Sequence, residues 1–291
     1  MRPFQRSKVV TICAGFKCPE GIVLCADSEE TFGEFLKRST PKIVVKFTGV
    51  MEGGDVTAPR AVFACAGDSA FIDMAVEKVW RKMYCAQHTQ ADMIDALEDE
   101  LIDIHQKYWP LYPEKERPAL AMLMGLYVPR EQVSELSLWK VDGPIATEVQ
   151  TYDCIGYGLS LGKYIGDRLY NEQLETSKAA ILAIYLLEQA KKSVQFCGGE
   201  SHVVLVPLPG WICRLSQDRI NKVASAFAHF EEQTNRLLLE APDFQFGEPQ
   251  LLKAFAGFYE GFPAMQQEVR DILAKVDAFT RSTSQNPTPE P

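Results

Sequence analysis

The sequence predicts an α+β fold in which antiparallel β-sheets are covered by helices. Strand patterns occur in consecutive pairs along the chain, and helical patterns are paired as well. Parallel sheets would instead require a helix between successive strands. With 291 residues, of which 46% are hydrophobic, the chain can bury a substantial core as one large domain or two small ones.

Apolar and β-branched runs mark the predicted strands. These strands are 8–16, 21–27, 42–47, 61–66, 119–128, 134–141, 151–155 and 202–206. Apolar residues spaced three and four apart mark the predicted helices. These helices are 69–84, 89–108, 161–170, 176–192 and 218–239. The stretch 48–59 contains Gly-Gly and is predicted to be irregular.

The C-terminal part of the chain predicts an extension after the last of these helices. Residues 240–282 read as two amphipathic helices broken at 261–263, a Gly-Phe-Pro step. Their apolar content is too high for a solvated tail, so we expect them to pack on the domain or on a neighbouring subunit. Residues 283–291 are polar and rich in proline and are predicted to be disordered.

Composition excludes several classes of partner. The net charge is −9 and no run of Lys or Arg stands out, which argues against nucleic-acid binding. Residues 1–8 are basic, but the apolar run after them is broken at Lys17, so neither a signal peptide nor a membrane span is predicted. Eight cysteines occur without a C-x-x-C pair, which favours reduced thiols in a cytoplasmic protein over a zinc site. No metal or organic cofactor is suggested.

Thr11, Asp27 and Lys42 fall on the first three predicted strands, and together they are a possible hydrolytic set. Folding the chain about Pro19 places Thr11 and Asp27 at equal distances from the turn. An antiparallel pair in that register sets their Cβ atoms roughly 5 Å apart, whereas a slip of one residue places them on different faces. The sequence leaves this contact open. Lys42 is expected to open the third strand, one neighbour further on.

This arrangement resembles the start of a proteasome β-type subunit, one of the N-terminal-nucleophile hydrolases. The resemblance rests on Thr11, on Gly15 four positions later, on the GIVLCAD run ending at Asp27 and on the Pro-Lys-Ile that contains Lys42. It continues through AVFACAGDSAFIDMAVEKVW, which has the shape of the family's strand–AG–helix segment, and returns at CIGYGLSLGKYI.

The resemblance covers residues 8–215 and implies a four-layer αββα sandwich of two antiparallel sheets flanked by helices. It places this domain at 11–239, after a propeptide or N-terminal extension at 1–10 and before the C-terminal helical extension. It also implies a homo-oligomeric ring, a peptide or unfolded polypeptide as substrate, and an unfoldase as a possible partner.

The family's chemistry uses the hydroxyl of an N-terminal threonine, with the threonine's own amine as the base. The resemblance implies that Thr11 is nucleophile and base, that Lys42 keeps the amine neutral, and that Asp27 holds Lys42 in place. Gly67 would supply the oxyanion N–H. This mechanism requires that residues 1–10 be removed.

Four positions depart from the family's pattern. Val10 precedes the scissile bond, where the family usually has glycine. Glu29 stands where active members commonly carry an arginine, and Tyr157 where they carry a serine that helps to bind the amine. Ser193 falls where a second supporting aspartate is expected. Groups of this kind hold catalytic geometry, so their replacement weighs against activity.

Three functions therefore remain open at the level of sequence. The first is a threonine-type peptidase. The second is a catalytically inactive structural or binding subunit that resembles α-type chains, with residues 1–10 retained. In the second case Thr11 is a strand residue, Asp27 a turn residue, Lys42 a solvated charge and Gly67 a strand-to-helix turn. A different amide hydrolase of the same superfamily is a third possibility.

Overall fold

The computed structural model describes residues 11–32, 36–47, 58–86, 89–130, 134–208 and 210–240, together with scattered positions from 247 to 274. The predicted extension at 1–10, nearly all of the irregular stretch 48–59, most of the helices at 240–282 and the tail at 283–291 lie outside the described residues.

Strands and helices alternate in groups along the described chain. The strands are β1 (Ile12–Cys18), β2 (Gly21–Asp27), β3 (Glu29–Phe32), β4 (Leu36–Ser39), β5 (Ile43–Phe47), β6 (Arg60–Gly67), β7 (Leu120–Val128), β8 (Glu135–Asp142), β9 (Ile145–Val149), β10 (Tyr152–Gly156), β11 (Ser201–Pro207) and β12 (Cys213–Arg214). The α-helices are α1 (Ser69–Cys85), α2 (Gln90–Tyr108), α3 (Leu159–Leu169), α4 (Thr176–Ser193) and α5 (Gln217–Glu240).

Two five-stranded sheets form the centre of the domain. The first sheet has the order β10-β1-β2-β11-β12, and the second has the order β5-β6-β7-β8-β9. Strands β3 and β4 form a separate hairpin. Neighbouring strands are antiparallel throughout both sheets.

Three apolar clusters show how the layers stack. One cluster joins the first sheet to α3, α4 and α5, and another joins the second sheet to α1 and α2. The third lies between the two sheets and includes Leu24, Leu123 and Leu138. Strand β2 displays the alternation that this requires, because Val23 faces the helices while Leu24 faces the other sheet. The four-layer αββα sandwich is therefore confirmed.

Helix starts follow ordinary capping chemistry. The Asp68 side chain accepts a hydrogen bond from the Phe71 N–H at the start of α1. Thr89 does the same for the Asp92 N–H at the start of α2. Each bond satisfies a backbone donor that the first turn leaves without a partner inside the helix. None of the helices in the described part of the chain is long and apolar enough to cross a bilayer.

Of the two registers that the sequence leaves open for the first hairpin, the structure has the one shifted by one residue. Pro19 and Glu20 form a two-residue turn, so Cys18 pairs with Gly21 and Cys13 pairs with Ala26. The axis of the hairpin therefore lies between Pro19 and Glu20 rather than on Pro19. Because side chains alternate between faces, this shift removes the direct cross-strand pairing expected for Thr11 and Asp27.

The predicted place of Lys42 in the sheet is wrong. Strand β5 begins one residue later, at Ile43, and belongs to the second sheet rather than standing next to β2. The unpredicted hairpin of β3 and β4 occupies the intervening chain and carries it from one sheet to the other. Lys42 consequently reaches Asp27 from the opposite layer.

Beyond Glu240, Ile272 contacts the main domain. Its side chain is 1% exposed and belongs to the cluster beside α4 and α5, which includes Ile220 and Val223. The Asp271 carboxylate lies 3.7 Å from the Arg219 guanidinium on α5. These contacts attach this part of the C-terminal extension to the domain's own core.

We expect Ile272→Ala to lower the free energy of unfolding by about 2–4 kcal/mol, because it removes buried methyl groups and leaves a cavity. The measurement is urea unfolding followed by circular dichroism. Leu252→Ala is the matched control, since Leu252 lies in the same extension but is 62% exposed. Equal losses in the two variants would contradict the packing of Ile272 in the core.

Candidate active site where the two sheets meet

The Asp27 carboxylate is the centre of a buried polar cluster. Asp27 ends β2 and is 0% exposed. Its Oδ1 atom accepts hydrogen bonds from the Thr11 hydroxyl, from the Ile12 N–H at 3.1 Å and from Lys42 Nζ at 3.0 Å. Its Oδ2 atom accepts from the Gly198 N–H at 3.0 Å. A buried charge needs such partners, and here the four of them come from three separate segments of the chain.

Thr11 meets Asp27 in spite of the shifted register. It lies immediately before β1, where the ladder has ended, and its side chain is buried with 1% exposure. The hydroxyl donates to Asp27 Oδ1 and accepts from Lys42 Nζ at 2.5 Å. Because Thr11 lies outside the β1–β2 ladder, its side chain need not follow the alternation of faces along the strand. It can therefore contact Asp27, which a regular strand pair in this register would prevent.

Lys42 brings a positive charge from the second sheet. Its side chain is 11% exposed, and its ammonium contacts the Thr11 hydroxyl, the Asp27 carboxylate and the backbone carbonyl of Glu29. The Lys42 carbonyl accepts from the Cys65 N–H at 2.9 Å, which anchors the residue to β6. The ammonium is thus held between the end of β2 and the start of β3.

Gly67 lines the same cleft as Thr11 and Lys42, at the junction of β6 and α1. Its φ angle is +147°, and an added Cβ would lie 2.0 Å from the Ala119 carbonyl oxygen. Only glycine fits this backbone without displacing β7. The structure therefore places Gly67 beside the polar cluster; its role as an oxyanion donor stays a prediction.

The Gly-Tyr-Gly segment at 156–158 packs against the backbone of Thr11. The Gly158 N–H donates to the Thr11 carbonyl at 3.3 Å. Gly156 has a φ of +90°, and a Cβ there would lie 2.3 Å from the same carbonyl oxygen. Gly156 therefore allows a close approach to the Thr11 backbone, and a Cβ at Gly158 would lie 2.7 Å from the Ile12 side chain. Tyr157 itself is 52% exposed and makes an edge contact with the Phe196 ring at 6.0 Å.

The other departures from the family pattern also have defined positions. The Glu29 carboxylate forms an ion pair with Lys37 at 2.9 Å and lies against Gly198, where a Cβ would be 2.4 Å from its Oε2. Ser193 is the last residue of α4 and is exposed. This part of the chain therefore contacts Asp27 through the Gly198 N–H and not through the Ser193 side chain.

Two buried thiols adjoin the cluster. Burial raises the pKa of the Cys197 thiol to about 12, and the nearby Asp27 charge adds to that rise. Burial likewise raises the pKa of Cys13 well above its ordinary value, and the Cys13 thiol donates to the Cys65 carbonyl. Both groups are therefore protonated at neutral pH and are poor nucleophiles compared with a thiolate.

Sequence reasoning missed three residues of this region. Gly198 was visible only as part of a Gly-Gly turn signal, and nothing local links that turn to Asp27. Glu30 and Asp73 line the cleft, one from β3 and the other from α1. In the sequence Asp73 looks like an ordinary acidic residue of an early helical turn.

No group of three or more His, Cys, Asp and Glu side chains in the described ranges is placed to hold a metal ion.

Comparisons with known proteins agree with the architecture. No protein-family model matches the sequence, and no curated protein is similar to it in sequence. Solved structures do match, and they share the αββα sandwich fold of this chain.

The matching structures include Anbu from two organisms. Anbu from Yersinia bercovieri, described as an ancestral beta-subunit, is 16% identical, with 81% of this chain and 100% of that chain covered and a TM-score of 0.63. A Gly-1 mutant of Anbu from Hyphomicrobium sp. strain MC1 is 15% identical, with 81% and 99% covered and a TM-score of 0.61. Another Anbu structure from that strain is 14% identical, with 80% and 99% covered and a TM-score of 0.61. At these identities the likeness shows a shared fold.

We expect Asp27→Asn to lower the free energy of unfolding by about 3 kcal/mol, because it leaves the Lys42 ammonium buried without its counter-charge. Chemical denaturation measures the change. Asp95→Asn, an exposed position on α2, makes the same change in charge and should have little effect. Similar stability of the two variants would show that the Asp27–Lys42 pair is not a structural requirement.

We expect Gly67→Ala to cost about 3 kcal/mol of stability, because its Cβ would collide with a backbone carbonyl. Gly143→Ala is the matched control: Gly143 has a φ of +59° but no atom within 4 Å of the added Cβ. The control should cost only about 1 kcal/mol, the strain of the left-handed conformation. Thermal and urea unfolding of both variants distinguish the two costs.

Proposed function

We propose that this protein is a threonine-type peptidase whose nucleophile is the Thr11 hydroxyl, released for catalysis when residues 1–10 are removed. One observation carries the proposal: the Thr11 hydroxyl donates to the Asp27 carboxylate and accepts from the Lys42 ammonium at 2.5 Å. A buried hydroxyl is satisfied by one hydrogen-bond partner, whereas this oxygen contacts both a carboxylate and an ammonium. The αββα fold shared with Anbu supports the same class.

In the proposed reaction Thr11 Oγ1 attacks the carbonyl carbon of a peptide bond. Its proton passes to the free α-amine of Thr11, and the carbonyl π electrons move to the oxygen, which is stabilised by the Gly67 N–H. Collapse of this intermediate breaks the C–N bond, and the departing amine takes the proton from the Thr11 ammonium. Water then attacks the resulting ester with the same α-amine as base, which frees the acid and regenerates the hydroxyl.

Lys42 and Asp27 would set the protonation state of that base. A fixed ammonium close to the α-amine disfavours a second positive charge, so it keeps the amine neutral and basic. It also stabilises negative charge that develops on Thr11 Oγ1 during attack. Asp27 supports both effects, because its carboxylate orients Lys42 at 3.0 Å and binds the backbone of the neighbouring Ile12.

Removal of residues 1–10 is a necessary part of the proposal. While Val10 is joined to Thr11, the nitrogen of Thr11 belongs to an amide and cannot accept a proton as a base. After cleavage of that bond the nitrogen becomes a primary amine attached to the nucleophile itself. The proposed substrate is a peptide or an unfolded polypeptide.

The proposed setting is a homo-oligomeric ring in the cytoplasm, with an unfoldase as a possible partner. A ring encloses its active sites and limits access to extended chains. The fold shared with Anbu, one of whose structures is described as an ancestral beta-subunit, supports an oligomer of this general kind.

The second candidate function is an inactive structural or binding subunit of the same fold. The surroundings of the polar cluster favour it, because Glu29 is paired with Lys37, Tyr157 is turned to the surface and Ser193 makes no contribution to Asp27. In this case residues 1–10 remain attached, and the Asp27–Lys42 pair serves only to join the two sheets.

The first measurement is the intact mass of the purified protein. The peptidase proposal predicts a chain that begins at Thr11, whereas the inactive subunit begins at Met1 or Arg2. Thr11→Ala should abolish processing and lower hydrolysis of fluorogenic peptides by at least about a thousandfold. Thr11→Ser should retain both activities, because it keeps the hydroxyl.

Thr147→Ala is the matched control, since Thr147 is exposed on β9 and away from the cleft. It should process and cleave as the unaltered protein does. Full activity in Thr11→Ala, or a chain that retains Met1 and still hydrolyses peptides, would overturn the assignment of Thr11.

A further inference from the structure

The loop between α4 and β11 brings a backbone amide to the polar cluster. Within this loop the Gly198 N–H donates to Asp27 Oδ2 at 3.0 Å, and the Gly198 carbonyl accepts from the Glu29 N–H at 3.0 Å. Two residues further on, the Glu200 N–H donates to the Ser28 hydroxyl at 2.7 Å. These three bonds require one defined backbone path through the loop.

Phe196 lies two residues before Gly198, in a backbone conformation that disfavours its side chain. Its φ angle is +71°, and among the described residues it is the one residue other than glycine with a positive φ. For a bulky residue this conformation is strained, and it persists only where the surrounding contacts hold it. A return to an ordinary negative φ would turn the chain by more than about 100° just ahead of Gly198.

The Tyr157 ring packs against the strained residue. The centroids of the Tyr157 and Phe196 rings lie 6.0 Å apart and the ring planes meet at 77°, the edge-to-face geometry that aromatic pairs favour. Tyr157 is itself held, because the Gly158 N–H donates to the Thr11 carbonyl and Gly156 approaches that carbonyl closely. The two rings therefore join the segment that packs on Thr11 to the loop between α4 and β11.

These contacts form a closed path around the candidate nucleophile. Its members, in order, are Thr11, Tyr157, Phe196, Gly198 and Asp27, which returns to the Thr11 hydroxyl. The other links are hydrogen bonds or the covalent chain. The contact between the two rings is the link that depends on side chains outside the polar cluster, so a substitution there can open the path without removing a polar group.

We propose that the Tyr157–Phe196 ring pair is a positioning element for the proposed reaction. The pair holds the loop so that the Gly198 N–H fixes the Asp27 carboxylate, and Asp27 in turn orients the Lys42 ammonium. The rings thus act through Asp27 and not on the substrate. This inference rests on the proposed peptidase function and adds to it two positioning residues.

The kinetic test measures hydrolysis of a fluorogenic peptide by the processed protein. We expect Tyr157→Ala to lower kcat by at least about tenfold while KM stays within about twofold, because misplaced catalytic groups slow the reaction without weakening substrate binding. Tyr157→Phe keeps the ring and should retain at least about half of kcat. Phe196→Ala removes the other ring and should behave as Tyr157→Ala does.

Hydrogen exchange at the Gly198 amide tests the same contact without any reaction. Because this amide is hydrogen-bonded to Asp27, its exchange is slow as long as the loop is held. Tyr157→Ala should speed it by at least about tenfold and Tyr157→Phe should not, as followed by mass spectrometry that resolves single amides.

Tyr164→Ala is the matched control for both measurements. Tyr164 is 58% exposed, compared with 52% for Tyr157, and its ring contacts Arg168 on the same helix α3. Loss of this ring should leave kcat and the exchange of Gly198 as they are in the unaltered protein.

The outcomes separate the two proposals. Unchanged kcat in Tyr157→Ala, or a lower kcat without faster exchange at Gly198, overturns the positioning role while leaving the peptidase intact. A raised KM with unchanged kcat also overturns it, because the ring would then bind substrate. An unaltered chain that retains residues 1–10 and cleaves no peptide overturns the peptidase and with it any role in the reaction. Faster exchange at Gly198 in Tyr157→Ala would even then confirm that the ring pair holds the loop.

Discussion

The arrangement of the polar cluster depends on one buried charge, the Asp27 carboxylate. Burial of an ionised carboxylate is tolerated only when its oxygens are hydrogen-bonded and a counter-charge is close. Here the partners are a hydroxyl ahead of β1, a backbone N–H at the start of β1, an ammonium from the approach to β5 and a backbone N–H from the turn after α4. Satisfying this one group therefore fixes the relative positions of segments that are far apart in the sequence. Gly67 and Gly156 also help to fix these positions, because they let neighbouring backbones approach the cluster closely.

Local patterns in the sequence predict much of the fold. Helices α1 and α2 follow from apolar spacing and lie within one or two residues of their predicted bounds, since their buried faces are continuous stripes. Strand β6 is similarly clear, because it is buried along nearly its whole length and reads as an unbroken apolar run. The pairing of strands with strands and helices with helices is enough to favour antiparallel sheets. The number of layers is not local information and came only from the resemblance.

The details of the candidate site are less accessible to sequence. A shift of one residue in the register of the first hairpin places Thr11 and Asp27 out of direct pairing, and they make contact because the ladder ends before Thr11. The β3–β4 hairpin is short and polar, so it gives no strand signal, yet it determines that Lys42 arrives from the second sheet. Glu30 and Asp73 converge on one cleft only through tertiary structure. Each of these features depends on distances between layers, which periodicity does not encode.

The division of the polar cluster between two sheets has a consequence for the maturing polypeptide. Thr11 and Asp27 come with the first sheet, whereas Lys42 is delivered by the segment that enters the second. A nascent chain whose sheets have not yet docked holds the hydroxyl and the carboxylate without the ammonium. The electrostatic environment of Thr11 is therefore complete only when the two sheets are docked against each other.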